Sequence, residues 1–384
     1  MREHRKSRRG CLRCKQRKVK CDETLPSCHR CTQRQEICSY ITEFGFISSS
    51  SAPSSSHRSP TPQSDSQFSS YLIDLDLTHQ YLTSTYSTLW GSPEGKLIWR
   101  DNIFRMALAN PYLLAGLLAT AAMHKIAVSE TSPVLENIAL HKQTEALEGL
   151  RLGLQNINAE SCDEVFVLST LVSFWTFASR SLPGRLSLLS TGSDTKNGEI
   201  EHESVQSPIA QFIQVLRRVK PLRAVTRESR PWLRGGNLAG LLKMPSLEDL
   251  PDLTEDVEHA LGELEYQLHQ NSSFSSTSTG DLPAFSMRWM FRVSGRPDLS
   301  ELLVGWPVQL SEQLTEGVKS RDHAALALLG YWAVSFEAMN DRWWSSGWSK
   351  AIVLEVSSIV QGPWLELMRW PCLRLGLSFD ESVH

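Results

Sequence analysis

The 384-residue chain lacks the short motifs by which many enzyme classes are recognised. It has no G-x-S-x-G nucleophile elbow, no phosphate-binding P-loop, no H-E-x-x-H motif and no glycine-rich dinucleotide fingerprint. Each of these motifs places a reactive or ligand-binding group in a fixed backbone setting, and none of those settings is encoded here. We therefore expect a protein that is not an enzyme.

Three kinds of targeting or association segment are also absent. The most apolar stretch, residues 112–127, is shorter than the roughly 20 residues that a membrane-spanning helix needs. We expect a buried helix there and no membrane partner. No secretory signal is recognisable, so we expect reduced cysteines. No heptad repeat follows the N-terminal cysteines, which leaves dimerisation through the rest of the chain or monomeric binding as alternatives.

Cysteine is concentrated at one end of the chain. Six of the eight cysteines lie in the first forty residues, with the spacing C-x2-C-x6-C-x6-C-x2-C-x6-C. The second triplet repeats the first, which indicates two half-sites. The six residues are Cys11, Cys14, Cys21, Cys28, Cys31 and Cys38.

Three interpretations of these cysteines compete. Disulfides are rare inside cells. Two independent tetrahedral zinc sites need eight ligands and are short of them, although His29, between Cys28 and Cys31, is a candidate to serve as one. A two-zinc cluster in which two cysteines bridge both metals uses every cysteine. Paired C-x2-C motifs at fixed spacing favour this last interpretation.

The charge of the chain is divided unevenly. Residues 1–40 contain twelve Lys and Arg against four Asp and Glu, whereas residues 41–384 contain 27 against 38. A compact basic module on an acidic protein is typical of a phosphate-binding domain. The basic run also suits a nuclear localisation signal, and we expect a nuclear protein.

Each C-x2-C turn is predicted to lead into a short helix, over residues 12–20 and 30–35. Helix N-termini favour anions, so both helices are candidates to bind phosphates. Arg17 and Lys18 lie near the end of the first helix. Arg or Lys bound to guanine O6 and N7 is the commonest specific contact in the major groove.

The residues from Ser7 to Asp22, followed by Pro26-x-Cys28 and Cys31-x6-Cys38, resemble the zinc binuclear cluster of fungal transcription factors. The resemblance implies two Zn²⁺ per chain, with Cys11 and Cys28 bridging the metals. Cys14 and Cys21 would complete one site, and Cys31 and Cys38 the other.

The same resemblance implies double-stranded DNA with CGG-like triplets as the partner, and regulation of RNA polymerase II transcription. Lys18 would contact the bases, with Arg17 and Lys20 beside it. Position 15, often Arg in the family, is Lys15 here and still suits a phosphate. Arg8 and Arg9, in the arm before Cys11, would add phosphate contacts.

The composition predicts four segments. These are a basic arm (residues 1–10), the cluster domain (11–40, the head), a disordered Ser/Pro-rich linker (41–70) and an all-α regulatory domain (71–384, the body). Ser-rich loops at about 181–207 and 271–283 are predicted to be mobile. Apolar residues recur at helical spacing in seven stretches of the body, and no βαβ alternation is visible. The stretches are residues 111–122, 138–154, 165–178, 209–219, 257–268, 310–318 and 324–339.

Part of the body is similar to the regulatory domain of fungal zinc-cluster proteins related to the sterol-uptake regulators. The similarity lies in residues 75–86, Trp99, 104–119 and 212–219. It implies an all-α fold, an apolar ligand pocket and a surface for the transcription machinery. We expect a pathway-specific regulator of a secondary-metabolite gene set. The alternatives are a sterol- or lipid-responsive regulator and a partner-recruiting interaction protein.

Two cysteines and three tryptophans of the body invite functional interpretations. Cys162 and Cys372 stand alone, so we predict small core residues, with a redox-sensitive thiol as the alternative. The tryptophans at 343, 344 and 348 are predicted to pack in the core rather than to form a ligand wall or a docking surface.

Overall fold

A computed structural model describes residues 63–129, 132–182, 207–220, 222–271 and 286–379, together with 11, 14–15, 17–22, 24 and 28–34. The predicted loops at 181–207 and 271–283 fall largely outside these ranges. The chain divides into two compact units, Met1–Ser69 and Ser70–His384.

The described residues form helices and no strand, in agreement with the predicted all-α fold. In chain order, the α-helices are α1 (His29–Gln33), α2 (Gln63–Gln80), α3 (Tyr86–Leu89), α4 (Pro93–Leu97), α5 (Phe104–Ala107), α6 (Pro111–Val128), α7 (Pro133–Gly153), α8 (Cys162–Ala178), α9 (Pro208–Val219), α10 (Leu222–Leu233), α11 (Glu255–Asn271), α12 (Met287–Ser294), α13 (Gly305–Gln309), α14 (Glu312–Lys319), α15 (His323–Phe336), α16 (Trp348–Ile359), α17 (Pro363–Leu367) and α18 (Arg369–Arg374). Short π-helical turns at Tyr81–Thr85 and Ile98–Ile103, and 3₁₀ turns at Ala239–Leu242, Leu247–Asp249, Ser300–Val304 and Glu337–Met339, connect them.

The predicted linker is partly helical. Helix α2 begins at Gln63, inside the segment 41–70 for which composition predicts disorder. Residues 63–70 contain neither Pro nor Gly, and Pro62 stands immediately before them, so nothing interrupts a helix that starts there. Further along the same helix Leu77 is fully buried, and packing at that end stabilises the turns before it.

Helix α6 is the central helix of the N-terminal half of the body. Asn110 caps it, because its Oδ1 accepts hydrogen bonds from the amides of Tyr112 and Leu113 at 3.0 and 3.1 Å, and Pro111 occupies the first helical position. Among the described helices, α6 alone has the length and apolar character of a membrane span, and 67% of that span is buried within the protein. The prediction of a buried helix is therefore confirmed.

Helices α7 and α8 cover α6. Inside this group the indole N–H of Trp175 on α8 donates to Thr120 Oγ1 on α6 at 2.9 Å. Both side chains are fully buried, so the bond satisfies two polar groups that would otherwise be costly to bury.

Helix α15 holds the aromatic centre of the C-terminal half. Every residue from Ala324 to Phe336 is buried. The Trp332 ring stacks on Trp306 at 5.3 Å with an interplanar angle of 13°, and lies 5.1 Å from Phe212. Aromatic pairs of this kind add to the free energy gained by burial alone.

The lone cysteines and the tryptophan cluster are core residues, as predicted. Cys162 and Cys372 are 2% and 1% exposed. Trp344 and Trp348 are fully buried, and Trp343 stacks on the buried His124 at 5.3 Å. Burial also lowers the pKa of His124. These tryptophans therefore stabilise the fold and do not form an exposed docking surface.

A close backbone approach joins the two halves of the body. The amide of Gly91 donates to Glu301 Oε2 at 3.0 Å, and Arg342 Nη2 lies 3.7 Å from the same oxygen. Burial raises the pKa of Glu301 to about 6. A Cβ at Gly91 would lie 2.5 Å from the carbonyl oxygen of Pro297 and 2.8 Å from Glu301 Oε2, so only glycine fits.

Gly91→Ala is therefore expected to destabilise the body by about 1–3 kcal/mol, because backbone atoms must move to admit the methyl group. Gly262→Ala is the matched control. It lies in helix α11 with no atom within 4 Å of the added Cβ, and should stabilise the helix by about 0.5–1 kcal/mol. Denaturant unfolding followed by tryptophan fluorescence measures both, since all twelve tryptophans lie in the body. Equal midpoints for Gly91→Ala and the wild type would contradict the close approach.

Candidate metal centre and nucleic-acid interface

Four of the predicted metal ligands meet in the head. The Sγ atoms of Cys11, Cys14, Cys21 and Cys28 all lie within 4.8 Å of one another, and all four side chains are buried. Cys31 is also buried, with its Sγ 3.7 Å from that of Cys11. Cys38 lies outside the described residues.

The sulfur separations match tetrahedral zinc. Sγ of Cys11 lies 3.7 Å from that of Cys28, and Sγ of Cys14 lies 3.6 Å from that of Cys28. A Zn–S distance of about 2.3 Å gives a tetrahedron with edges of about 3.8 Å. Disulfide sulfurs would lie about 2.0 Å apart. The described cysteines are therefore spaced as ligands of a shared metal rather than as disulfide partners.

The described cysteines of the two triplets contact one another. Cys11 of the first triplet lies beside Cys31 of the second, and Cys28 of the second lies beside Cys14 of the first. Cys11 and Cys28 are also neighbours of each other. The described cysteines of the two triplets therefore form one group of thiols.

The backbone and the charge of the site favour a bound cation. The amides of Cys11 and Cys14 point at the sulfurs of Cys21 and Cys11, both at 3.4 Å, as expected around metal thiolates. Burial and hydrogen bonds from Cys11 and Cys28 raise the pKa of Cys14. Four buried sulfurs within 4.8 Å of one another are donors of the kind that zinc binds, so the donor set fits zinc.

His29, the alternative ligand, is exposed, and its Nε2 lies 3.2 Å from Gln33 Nε2. It is not part of the cysteine group. The backbone amide of His29 donates instead to Asp22 Oδ2 at 3.0 Å. This bond and one from Thr24 lower the pKa of the Asp22 carboxyl.

The contact from Asp22 adds to one expectation. The N-terminus of α1 is a candidate to bind a phosphate, and the Asp22 carboxylate accepts from its first amide. Sequence reasoning missed this role. The signal was an acidic residue directly after Cys21, at a distance along the chain that lets it reach the start of the second helix.

The first helix of the head is shorter than predicted. Cys14 and Lys15 are helical, but Lys18 adopts a left-handed conformation with φ of 55°. The amide of Val19 then donates to Cys14 O at 3.0 Å, and that of Lys18 to Lys15 O at 3.1 Å. This pair of bonds is a Schellman helix end, so the helix stops before residue 20. Lysine occupies the position where glycine is usual.

This helix end places several basic side chains in solvent. Lys15, Lys18 and Lys20 are exposed, and Arg17 is half-buried. Arg8 and Arg9 lie outside the described residues. The exposed lysines surround a left-handed turn that the zinc ligands hold from both sides, Cys14 before it and Cys21 after it.

Two comparisons with protein families agree with this geometry. Residues 9–44 match the fungal Zn(2)-Cys(6) binuclear cluster domain, and residues 76–183 match the fungal specific transcription factor domain. The chain is therefore similar to fungal Zn(2)-Cys(6) transcription factors over its cluster domain and the first part of its body. The cluster domain of this family binds two zinc ions, and the cysteines of the head are the residues that would hold them.

Individual relatives are transcription factors by name. The chain is 32% identical over 179 residues to the Zn(2)-C6 fungal-type transcription factor afumD of Aspergillus fumigatus. The aligned residues cover 46% of this chain and 48% of that protein. It is 23% identical to a Zn(2)-C6 fungal-type transcription factor of Gibberella zeae, covering 100% of this chain and 88% of that protein. Sterol uptake control protein 2 of Saccharomyces cerevisiae is 30% identical over 132 residues, which is 34% of this chain and 14% of that protein. The family is one of DNA-binding transcriptional regulators.

Proposed function

We propose that this protein is a nuclear, sequence-specific regulator of RNA polymerase II transcription that binds CGG-like triplets through its head. The layout proposed is an arm (residues 1–10), the head, a tether within residues 41–70 and the body. One observation supports the proposal most directly. The turn between Cys14 and Cys21 exposes Lys15, Lys18 and Lys20, and both of these cysteines are predicted zinc ligands. A metal-braced turn holds its side chains rigidly enough to distinguish base edges.

In this proposal Lys18 contacts the bases and its neighbours contact phosphates. Lys18 projects from the turn at the helix end, where the backbone conformation is fixed by two hydrogen bonds. Lys15 and Lys20 are exposed on either side, and Arg17, Arg8 and Arg9 complete the predicted set. Phosphate contacts supply affinity and salt dependence, while base contacts supply specificity.

The six cysteines are proposed to hold the two zinc ions with Cys11 and Cys28 as the bridging pair. The contacts of Cys11 with Cys31 and of Cys28 with Cys14 support this assignment. Zinc supplies the folding free energy of such a small domain, so it acts as a structural ion and no chemical step is routed through it.

The biological role that we propose is regulation of a secondary-metabolite gene set, by recruitment of the transcription machinery and with dimerisation through the body. A sterol- or lipid-responsive role is the alternative, and the similarity to sterol uptake control protein 2 favours testing it. Two cavities of the body measure about 360 and 340 Å³. Glu337 and Arg374 line the first and Glu164 the second, so neither is a purely apolar pocket.

The proposal is tested by selecting binding sites from random duplex DNA with the full-length protein, with zinc measured on the same sample. We expect enrichment of a CGG-containing motif and two zinc ions per chain. One triplet or two at fixed spacing will distinguish a monomer from a dimer on DNA. Two zinc ions without an enriched motif would reject specific recognition and favour a partner-recruiting role.

A further inference from the structure

The acidic body contains one strongly basic segment. Of the 27 Lys and Arg between residues 41 and 384, seven lie within the eighteen residues from 217 to 234, where Glu228 is the one acidic residue. The segment therefore carries a formal charge of +6 in a body that is otherwise strongly acidic. Such a local reversal of sign marks a surface that attracts anions.

Four of these residues form a line along helix α10. Arg223, Arg227, Arg230 and Arg234, here called the arginine stripe, follow the spacing i, i+4, i+7, i+11. At 3.6 residues per turn they fall within an arc of roughly 60° and extend over about 16 Å. Arg234 belongs to the same helical turn because its amide donates to Arg230 O at 3.1 Å.

The stripe lies beside the buried face of the helix but remains accessible. Val225, Ser229 and Leu233 are buried, whereas Arg227 and Arg234 are exposed. In the part of the chain that the structure describes, neither of these two arginines has a carboxylate within 4 Å. Arg230 is half-buried, and its Nε has no hydrogen-bond partner among the described residues. By contrast, Lys220 of the same segment forms a salt bridge with Glu312, with Nζ 2.6 Å from Oε2.

We propose that the arginine stripe binds the phosphate backbone of duplex DNA beside the site that the head recognises. The inference rests on the proposed function, and adds a second, sequence-independent DNA contact made by the body. Guanidinium groups match phosphate oxygens in pairs, and duplex DNA offers one negative charge per about 1.7 Å of its axis. A stripe of this length can meet several phosphates.

Duplex DNA fits the stripe better than an acidic protein partner does. Protein interfaces depend on apolar anchor residues at their centre. The arc of the stripe holds arginines alone, and the exposed Trp232 lies on the opposite side of the helix, roughly 180° from Arg223. A row of cations without an apolar anchor is the pattern of a phosphate-binding surface.

The experiment compares the full-length wild type with Arg227→Gln/Arg234→Gln. Both residues are exposed, so folding should be preserved. Binding is measured against salt on two duplexes, one with the selected motif alone and one with about two further helical turns on each side. On the long duplex we expect about three- to tenfold weaker binding at 0.1 M salt and a salt slope smaller by about 2. On the short duplex we expect no change.

Arg105→Gln/Lys350→Gln is the matched control, since it removes two exposed positive charges elsewhere on the body. It should match the wild type on both duplexes. Equal binding of the stripe variant and the wild type to the long duplex overturns the inference, as does an equal loss on both duplexes. Unchanged DNA binding with lost binding to an acidic peptide overturns it in favour of a protein partner. If the wild type shows no preference for CGG-containing duplexes, the proposed function is rejected instead. Comparing the stripe variant with the wild type on the long duplex still tests the arginine stripe in that case.

Discussion

Cys14→Ala is expected to remove at least one of the two zinc ions from the head and to abolish sequence-specific DNA binding, while the body stays folded. Cys14 Sγ lies 3.6 Å from that of Cys28 within the group of four thiols. The free energy of zinc binding, about 10–16 kcal/mol in small zinc domains, is the folding free energy of such a domain. The head is too small to compensate with an apolar core, because its described buried side chains are the cysteines themselves.

Metal analysis and DNA binding measure this loss in the full-length protein. We expect zinc to fall from two ions to at most one per chain, and affinity for the selected motif to fall by at least about 10³-fold, to the level of non-specific binding. Tryptophan fluorescence should be unchanged, since it reports the body alone.

Cys162→Ala is the matched control for Cys14→Ala. It removes a cysteine that is also buried, at 2% exposure, but lies in the body without a metal-spaced partner. Zinc content and DNA binding should match the wild type. A Cys14→Ala protein that keeps both zinc ions and the same DNA motif would falsify the cluster assignment.

Lys18→Ala is expected to weaken binding to the selected motif by about 10- to 100-fold, with little change on unrelated DNA. A good contact to a base edge is worth about 1–3 kcal/mol of discrimination. An exposed lysine that contacts a phosphate contributes to every sequence alike. The difference between the two DNA sequences, rather than either affinity, therefore reports what Lys18 contacts.

The backbone of Lys18 makes a second variant informative. Because Lys18 has φ of 55°, any residue with a Cβ is strained there by about 1–2 kcal/mol, and glycine is not. Lys18→Gly should lose specificity as Lys18→Ala does, yet retain zinc as well as the wild type or better. Comparing Lys18→Ala with Lys18→Gly therefore separates the effect of the lysine side chain on DNA binding from the effect of the left-handed backbone at the helix end.

Lys15→Ala is the comparison for a phosphate contact. It removes another exposed lysine from the same short helix and should weaken binding to all duplexes by a similar factor. If Lys18→Ala behaves like Lys15→Ala, base recognition belongs to another residue of the turn.

The helices of the body and the zinc site of the head could be predicted from the sequence because their signals lie close together along the chain. Asn110-Pro111 predicts the start of α6, since the cap and the first helical residue depend on chemistry within one turn. The apolar spacing of residues 165–178 predicts α8, which is observed at Cys162–Ala178. Fixed spacing between cysteines indicates a zinc site for the same reason, because the ligands are close along the chain.

Other features depended on contacts that no local pattern encodes. The end of the first head helix at a left-handed lysine, where glycine is the usual signal, was not predictable. The Asp22 carboxylate at the start of α1 and the approach of Gly91 to Glu301, 210 residues away, depend on how distant segments pack. The start of α2 inside a Ser- and Pro-rich segment was missed because composition does not report where a packed helix extends.

By itself the sequence determined that the first forty residues are basic and the rest acidic, that six cysteines form a metal-binding pattern, and that the body is all-α. Each of these follows from residue type and spacing. The tertiary structure decided which cysteines are neighbours and which lysines are exposed around the Lys18 turn. It also decided that Arg227 and Arg234 are exposed, with no carboxylate of the described residues within 4 Å. The physical reason is that ion pairing, burial and metal geometry depend on distances of a few ångströms between residues that are far apart in the chain.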